Sequence, residues 1–105
     1  LAQLKMENRD FLGAKESYLK VLKLRPNDSD LLSEYAQALY FSENRKFTKE
    51  VKSIINKTIK LNPNNAVALG LNGIDYFEQG LYRLAIISWE NALKVTKKIH
   101  QRLML

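Results

Sequence analysis

Side chains that carry chemistry are sparse in this chain, and their spacing does not let them act together. His100 is the single histidine and cysteine is absent, so a zinc site lacks its usual nitrogen and sulfur ligands. Ser29 and Ser33 have no local base to activate them. The glycines of Gly70-x-x-Gly73 lie inside a predicted helix, where they favour close helix packing over phosphate binding. The sequence therefore predicts no enzyme, no metal site and no cofactor.

Basic residues are the second chemical signal. Lysine and arginine number 17 against 11 acidic residues, and the net charge is +6. Such a balance is typical of proteins that bind nucleic acid or an anionic membrane, and the candidates for those contacts are Lys94, Lys97, Lys98 and Arg102. A solvated helical face explains the same side chains more simply. The chain has 105 residues, a length typical of one domain. It contains no apolar run of about 18 residues, so we expect no membrane-spanning helix.

One short segment of the chain recurs. Leu24-Arg25-Pro26-Asn27 returns as Leu61-Asn62-Pro63-Asn64, 37 residues later. A segment that recurs with a period of about 20–50 residues indicates a stack of like units. No alternating strand pattern appears, and the apolar residues have helical spacing. Helices are predicted at about 1–8, 11–25, 29–43, 48–61, 66–79 and 82–103.

Local signals mark the ends of these helices. The predicted N-caps are Asp28-Ser29, Thr48 and Asn64-Asn65, because their side-chain oxygens can accept from the first free N–H groups. Gly80 is predicted to end the fifth helix, where a residue with positive φ is favoured. Short turns then join the helices into antiparallel pairs.

The pairs resemble the tetratricopeptide repeat (TPR), in which small residues let two helices approach and large residues fill the space between pairs. The resemblance is carried by three partial copies: Leu69-x-x-Asn72-Gly73-x-x-Tyr76 with Ala85-x-x-x-Trp89-x-x-Ala92; Leu32-x-x-Tyr35-Ala36-x-x-Leu39 with Val51-x-x-x-Ile55 and Pro63; and Ala2 with Ala14-x-x-x-Tyr18 and Pro26. It implies an all-α fold, an α-α superhelix (TPR solenoid) of about three repeats. Trp89 is then a core aromatic residue.

We expect a single TPR domain over 1–105. The first repeat (1–28) is truncated, the second (29–65) has a lengthened turn within Ser42–Thr48, and the third (66–98) leads into the end of a capping helix (99–105). The chain opens at Leu1 inside a helical pattern, so we interpret it as a fragment of a longer protein.

A longer set of residues resembles the TPR domains of cytochrome c maturation proteins, the CcmI/NrfG family. It runs through Tyr35-Ala36-Gln37-Ala38-Leu39-Tyr40, Phe47-Thr48-Lys49-Glu50, Leu61-Asn62-Pro63-Asn64, Ala68-Leu69-x-Leu71-x-Gly73 and Phe77-x-x-Gly80-x-Tyr82-x-x-Ala85-Ile86-x-x-Trp89. This resemblance implies a bacterial protein anchored in the inner membrane by segments upstream, with its TPR domain in the periplasm. It also implies a non-enzymatic role: gripping the C-terminal helix of an apocytochrome c and presenting it to haem-ligation proteins.

The charges divide between the two helices of each pair. The first-helix windows 28–43 and 66–80 contain six acids and no lysine or arginine, whereas the windows 11–25, 45–60 and 81–105 contain fifteen basic residues and three acids. In a TPR stack the first helices line the concave face. We therefore expect an acidic groove that suits a basic amphipathic helix and suits nucleic acid poorly.

Repeat geometry places ten residues in this groove. Tyr40, Phe41 and Phe77 are the expected apolar anchors for a ligand, and core packing between neighbouring pairs is the alternative for each. The full set is Asp30, Ser33, Gln37, Tyr40, Phe41, Val67, Gly70, Ile74, Phe77 and Glu78. Two other functions stay open: a scaffold for complex assembly or self-association, and a basic nucleic-acid binder whose affinity falls steeply with salt.

Overall fold

The computed structural model describes residues 11–104, and these form five α-helices and no strand. The helices are α1 (Phe11–Leu24), α2 (Ser29–Ser42), α3 (Lys49–Leu61), α4 (Ala66–Glu78) and α5 (Tyr82–Met104). Each differs from its prediction by one residue at one end. The helix predicted at 1–8 lies outside the described residues. The prediction of an all-α fold is confirmed.

The predicted caps begin the middle helices. Asp28 accepts from the N–H of Leu31 at 3.1 Å and Thr48 accepts from Val51 at 3.2 Å. Asn65 accepts from the N–H of Ala68 at 2.9 Å. Each side chain satisfies a donor that has no partner within its helix, and this defines where the helix starts.

Gly80 ends α4 as predicted, with φ of 78°. Its N–H bonds to the carbonyl of Phe77 at 3.0 Å, and the N–H of Leu81 bonds to the carbonyl of Tyr76 at 2.8 Å. This pair of bonds is the Schellman arrangement, which satisfies the last carbonyls of a helix when the next residue is left-handed. Only three residues, 79–81, then separate α4 from α5.

The turn between α2 and α3 is twice as long, because it covers residues 43–48. Asn44 and Arg45 both have left-handed backbones, with φ of 57° and 59°. The N–H of Arg45 bonds to the carbonyl of Tyr40 at 2.9 Å, which satisfies a free carbonyl at the end of α2. Glycine is the usual residue in such a left-handed helix end, and here Asn44 takes its place. Phe47 then packs its ring 4.6 Å from that of Tyr40 and anchors the extra residues to the core.

The core lies between successive helices of the stack. Helices α2 and α3 form one antiparallel pair and α4 and α5 form another; α1 packs on α2, and α4 packs on both α2 and α3. Leu39, Val51 and Thr58 are the largest fully buried side chains. Thr58 tolerates this site because its hydroxyl donates to the carbonyl of Ile54 at 2.7 Å.

Trp89 joins the last two helices. Its indole N–H donates to the carbonyl of Gly70 at 3.3 Å, and the neighbouring Ser88 hydroxyl donates to the carbonyl of Leu69 at 2.7 Å. A Cβ on Gly73 would overlap the indole ring, whereas a Cβ on Gly70 would meet no atom within 4 Å. The absence of a side chain at Gly73 is what lets the ring lie against α4.

This geometry predicts opposite effects for the same substitution at two glycines. Gly73→Ala should destabilise the fold by about 1–3 kcal/mol, since the added methyl forces the indole to move. Gly70→Ala should stabilise it by about 0.5–1 kcal/mol, since alanine is the better residue within a helix. Urea unfolding followed by circular dichroism measures both. Equal effects at the two positions would contradict the packing described for Trp89.

Candidate functional site

The joint between α2 and α4 contains one of the predicted groove residues. Ser33 is only 2% exposed, and its hydroxyl accepts from the side-chain amide of Asn65 at 3.2 Å. The same amide lies 3.3 Å from the carbonyl of Ser29 and 3.5 Å from a carboxylate oxygen of Asp30. The expectation that Ser33 lines an open groove is therefore wrong, because the start of α4 covers it.

Tyr40 is a second correction. It is 4% exposed and belongs to the core cluster, with its ring 5.4 Å from Phe41 and 4.6 Å from Phe47. Burial raises the pKa of its hydroxyl, the carboxylate of Glu78 raises it further, and Arg45 lowers it. Tyr40 is therefore a core residue that packs between neighbouring helices, and it cannot serve as an exposed anchor for a ligand.

The other predicted groove residues keep some access to solvent. Asp30, Phe41, Val67, Phe77 and Glu78 are exposed. Gln37, Gly70 and Ile74 are half-buried. These eight residues are accessible to solvent, and their role in a binding groove stays a prediction.

Two exposed aromatic rings are held in place by neighbours. Phe77 is 53% exposed, and its ring lies 5.2 Å from Tyr82 and 6.0 Å from Trp89. The guanidinium of Arg45 lies 5.9 Å from the ring centre of Phe41, within reach of a cation–π contact. Both rings present apolar surface, and the contacts with neighbouring side chains restrict their orientation.

The acids of the first helices do not all face the predicted groove. Asp75 lies 4.0 Å from the Lys52 ammonium of α3. Glu34 acts on Tyr18 of α1, whose hydroxyl pKa is raised by burial first and by that carboxylate second. Asp75 therefore faces α3, the second helix of the preceding pair. Of the predicted groove residues, the acids are only Asp30 and Glu78, so the groove is less acidic than the charge count suggested.

The described residues contain no group of three histidine, cysteine or acidic side chains placed to hold a metal ion. Nor is any helix within 11–104 both long enough and apolar enough to cross a membrane.

The fold defines the class of protein. The crystal structure of MamA is similar, with a TM-score of 0.70 and 19% identity, over 96% of this chain and 57% of that one. The class is the TPR-like helical repeat. Within it, the match to the family described as "Cytochrome c-type biogenesis protein H TPR domain" covers residues 1–103, and the chain belongs to that family.

Curated bacterial relatives support the assignment. The chain is 34% identical over 78% of its length to "Cytochrome c-type biogenesis protein CycH" of Pseudomonas aeruginosa. It is 30% identical over 100% of its length to "Putative cytochrome c-type biogenesis protein CcmH" of Haemophilus influenzae. It is 27% identical over 89% of its length to "Formate-dependent nitrite reductase complex subunit NrfG" of Escherichia coli O157:H7. The matches cover 20%, 23% and 47% of these relatives, so the chain spans less than half of each.

The side-chain hydrogen bonds of Asn65 predict that its substitution destabilises the fold more than substitution of the cap residue Asp28. Asn65→Asp keeps an oxygen for Ala68 but replaces the amide donor with a carboxylate that faces Asp30 and the carbonyl of Ser29. We expect it to destabilise the fold by about 1–3 kcal/mol, the usual effect of leaving buried polar groups unsatisfied.

The matched control for this change is Asp28→Asn, since Asp28 makes the same cap bond and asparagine and aspartate cap equally well. It should be close to neutral in thermal or urea unfolding. If Asn65→Asp lowers the free energy of unfolding no more than Asp28→Asn does, the Asn65 amide contributes nothing to the contact between α2 and α4.

Proposed function

We propose that this chain is a non-catalytic peptide-binding module of cytochrome c maturation. Its ligand is the C-terminal segment of an apocytochrome c, which it presents for covalent haem attachment by separate haem-ligation proteins. Family membership supports the process. The observation that carries the binding role is the exposed ring of Phe77, which packs between Tyr82 and Trp89 and is followed in the chain by the exposed residue Glu78.

The arrangement suits an amphipathic helix as ligand. Val67 and Phe77 provide exposed apolar surface on α4, and Phe41 provides it at the end of α2. A rigid aromatic anchor binds well because little side-chain freedom is lost when the ligand arrives. Asp30 and Glu78 then complement basic residues beside the apolar face of the ligand, which helps encounter and orientation.

The location follows from the same proposal. Presentation of apocytochrome c by this family implies the periplasmic face of the bacterial inner membrane, with the anchor supplied by other segments of the parent protein. The chain itself contributes no chemical step; it holds one polypeptide so that another protein can act on it.

Calorimetric titration with a synthetic apocytochrome c C-terminal helix tests this role. We expect micromolar or tighter binding, and no binding of a peptide with the same composition in scrambled order. Phe77→Ala should weaken binding at least about tenfold, since truncating an interface anchor commonly costs about 2 kcal/mol.

Leu24→Ala is the control for this test, because Leu24 is 84% exposed on α1, outside the predicted groove. It should leave the affinity unchanged. Equal binding of both peptides, or none, would refute the apocytochrome proposal and leave a general TPR scaffold. Unchanged affinity for Phe77→Ala would instead show that the peptide binds elsewhere on the chain.

A further inference from the structure

The turn between α2 and α3 places a cation beside a predicted groove residue. Helices α2 and α4, which supply the predicted groove, contain no lysine or arginine. Arg45 lies in the turn that follows α2, and its side chain is exposed. Its guanidinium lies 5.9 Å from the ring centre of Phe41, which is itself exposed. The turn therefore supplies a positive charge that the two groove helices lack.

The position of Arg45 is restrained at both ends of the residue. Its backbone has φ of 59°, and its N–H bonds to the carbonyl of Tyr40 at 2.9 Å. Phe47 packs its ring 4.6 Å from Tyr40 and holds the far side of the turn. Because the backbone is bonded to α2 and the guanidinium lies over Phe41, the side chain loses little freedom when it binds a ligand.

Arg45 has hydrogen-bond donors to offer. Within the part of the chain that the structure describes, no carboxylate lies within ion-pair distance of its guanidinium. Glu78 is near, because burial raises the pKa of the Tyr40 hydroxyl, the Glu78 carboxylate raises it further and Arg45 lowers it. A guanidinium that stacks on a ring keeps its N–H donors, which lie in the plane of the group, available to a ligand.

A cation in this place is unfavourable for a ligand that is basic throughout. The proposed ligand has basic residues that complement Asp30 and Glu78, and Arg45 would repel them. A C-terminal segment, however, always has one anionic group, its α-carboxylate, which is ionised at neutral pH. The planar fork of a guanidinium binds a carboxylate with two parallel hydrogen bonds. The chain end is therefore the part of such a ligand that Arg45 fits.

We propose that Arg45 binds the α-carboxylate at the C-terminus of the peptide ligand, so that the ligand chain ends beside the turn of residues 43–48. Phe41 would contact the last apolar side chain of the peptide, and Glu78 a basic side chain near its end. This inference rests on the proposed function and adds what is recognised: a free chain end, which an internal helix of the same composition does not have.

The surroundings make the guanidinium necessary for this contact. Arg45 follows the C-terminal end of α2, and Glu78 is the last residue of α4. The C-terminal ends of helices carry partial negative charge, and the carboxylate of Glu78 adds to it. Without the guanidinium, these groups repel an α-carboxylate.

Two forms of one peptide test this inference by calorimetric titration. The first is the synthetic apocytochrome c C-terminal helix with a free α-carboxylate. The second is the same peptide amidated at its C-terminus, which removes the negative charge. The unaltered protein should bind the amidated form about three- to tenfold more weakly, as expected for an exposed but bidentate ion pair. The difference should shrink as salt screens the charges.

Variants of the turn locate the effect. Arg45→Gln should bind the two forms equally or favour the amide, and Arg45→Lys should recover only part of the preference because it lacks the bidentate fork. Lys46→Gln is the matched control, since it removes the same charge from the next exposed residue of the turn. It should keep the full preference. Both side chains are exposed, so circular dichroism should show unchanged helix content in each variant.

The outcomes separate this inference from the proposed function. Equal affinity of the unaltered protein for the two forms would overturn the inference and leave the proposed function standing. A preference for the free carboxylate that persists in Arg45→Gln would also overturn it, because another group would then bind the chain end. Equal loss of the preference in Lys46→Gln would show an effect of net charge alone. No binding of either form would refute the proposed function and this inference with it.

Discussion

The stack depends on one constraint: each helix pair has an apolar face, and the first helix of the following pair must cover it. Leu39, Val51 and Ile55 are buried because α2 and α3 close on each other and α4 closes on both. Burial of such side chains provides the main favourable term in folding. Cores of this kind extend from neighbour to neighbour, so the state of any face depends on whether a neighbour is present.

Asn65 adds directional hydrogen bonds to the apolar contact between α2 and α4. It begins α4 by accepting from Ala68, and its amide reaches back to the carbonyl and hydroxyl groups at the start of α2. Apolar contact alone lets one helix slide along another, because the attraction is not directional. A cap that also donates across the joint sets the height of α4 against α2, which in turn sets where the exposed ring of Phe77 stands.

The sequence predicted the parts of this structure that are determined locally. Caps at Asp28, Thr48 and Asn65, and the left-handed turn at Gly80, depend on residues within about one helical turn, so helix bounds came out within one residue. Exposure was predicted less well. Ser33 is covered by Asn65, 32 residues away in the chain, and Tyr40 lies in a core cluster that includes Ala68 and Leu71 of α4. Repeat position alone does not show which face a neighbour covers.

The direction of an acidic side chain likewise depends on contacts with a neighbouring helix. Asp75 lies 4.0 Å from Lys52, so part of the charge that a count assigns to the groove lies at the contact between α4 and the basic helix α3. Exposed ion pairs contribute little stability but do discriminate between partners. Alternating acidic and basic helices therefore favour the correct order in the stack.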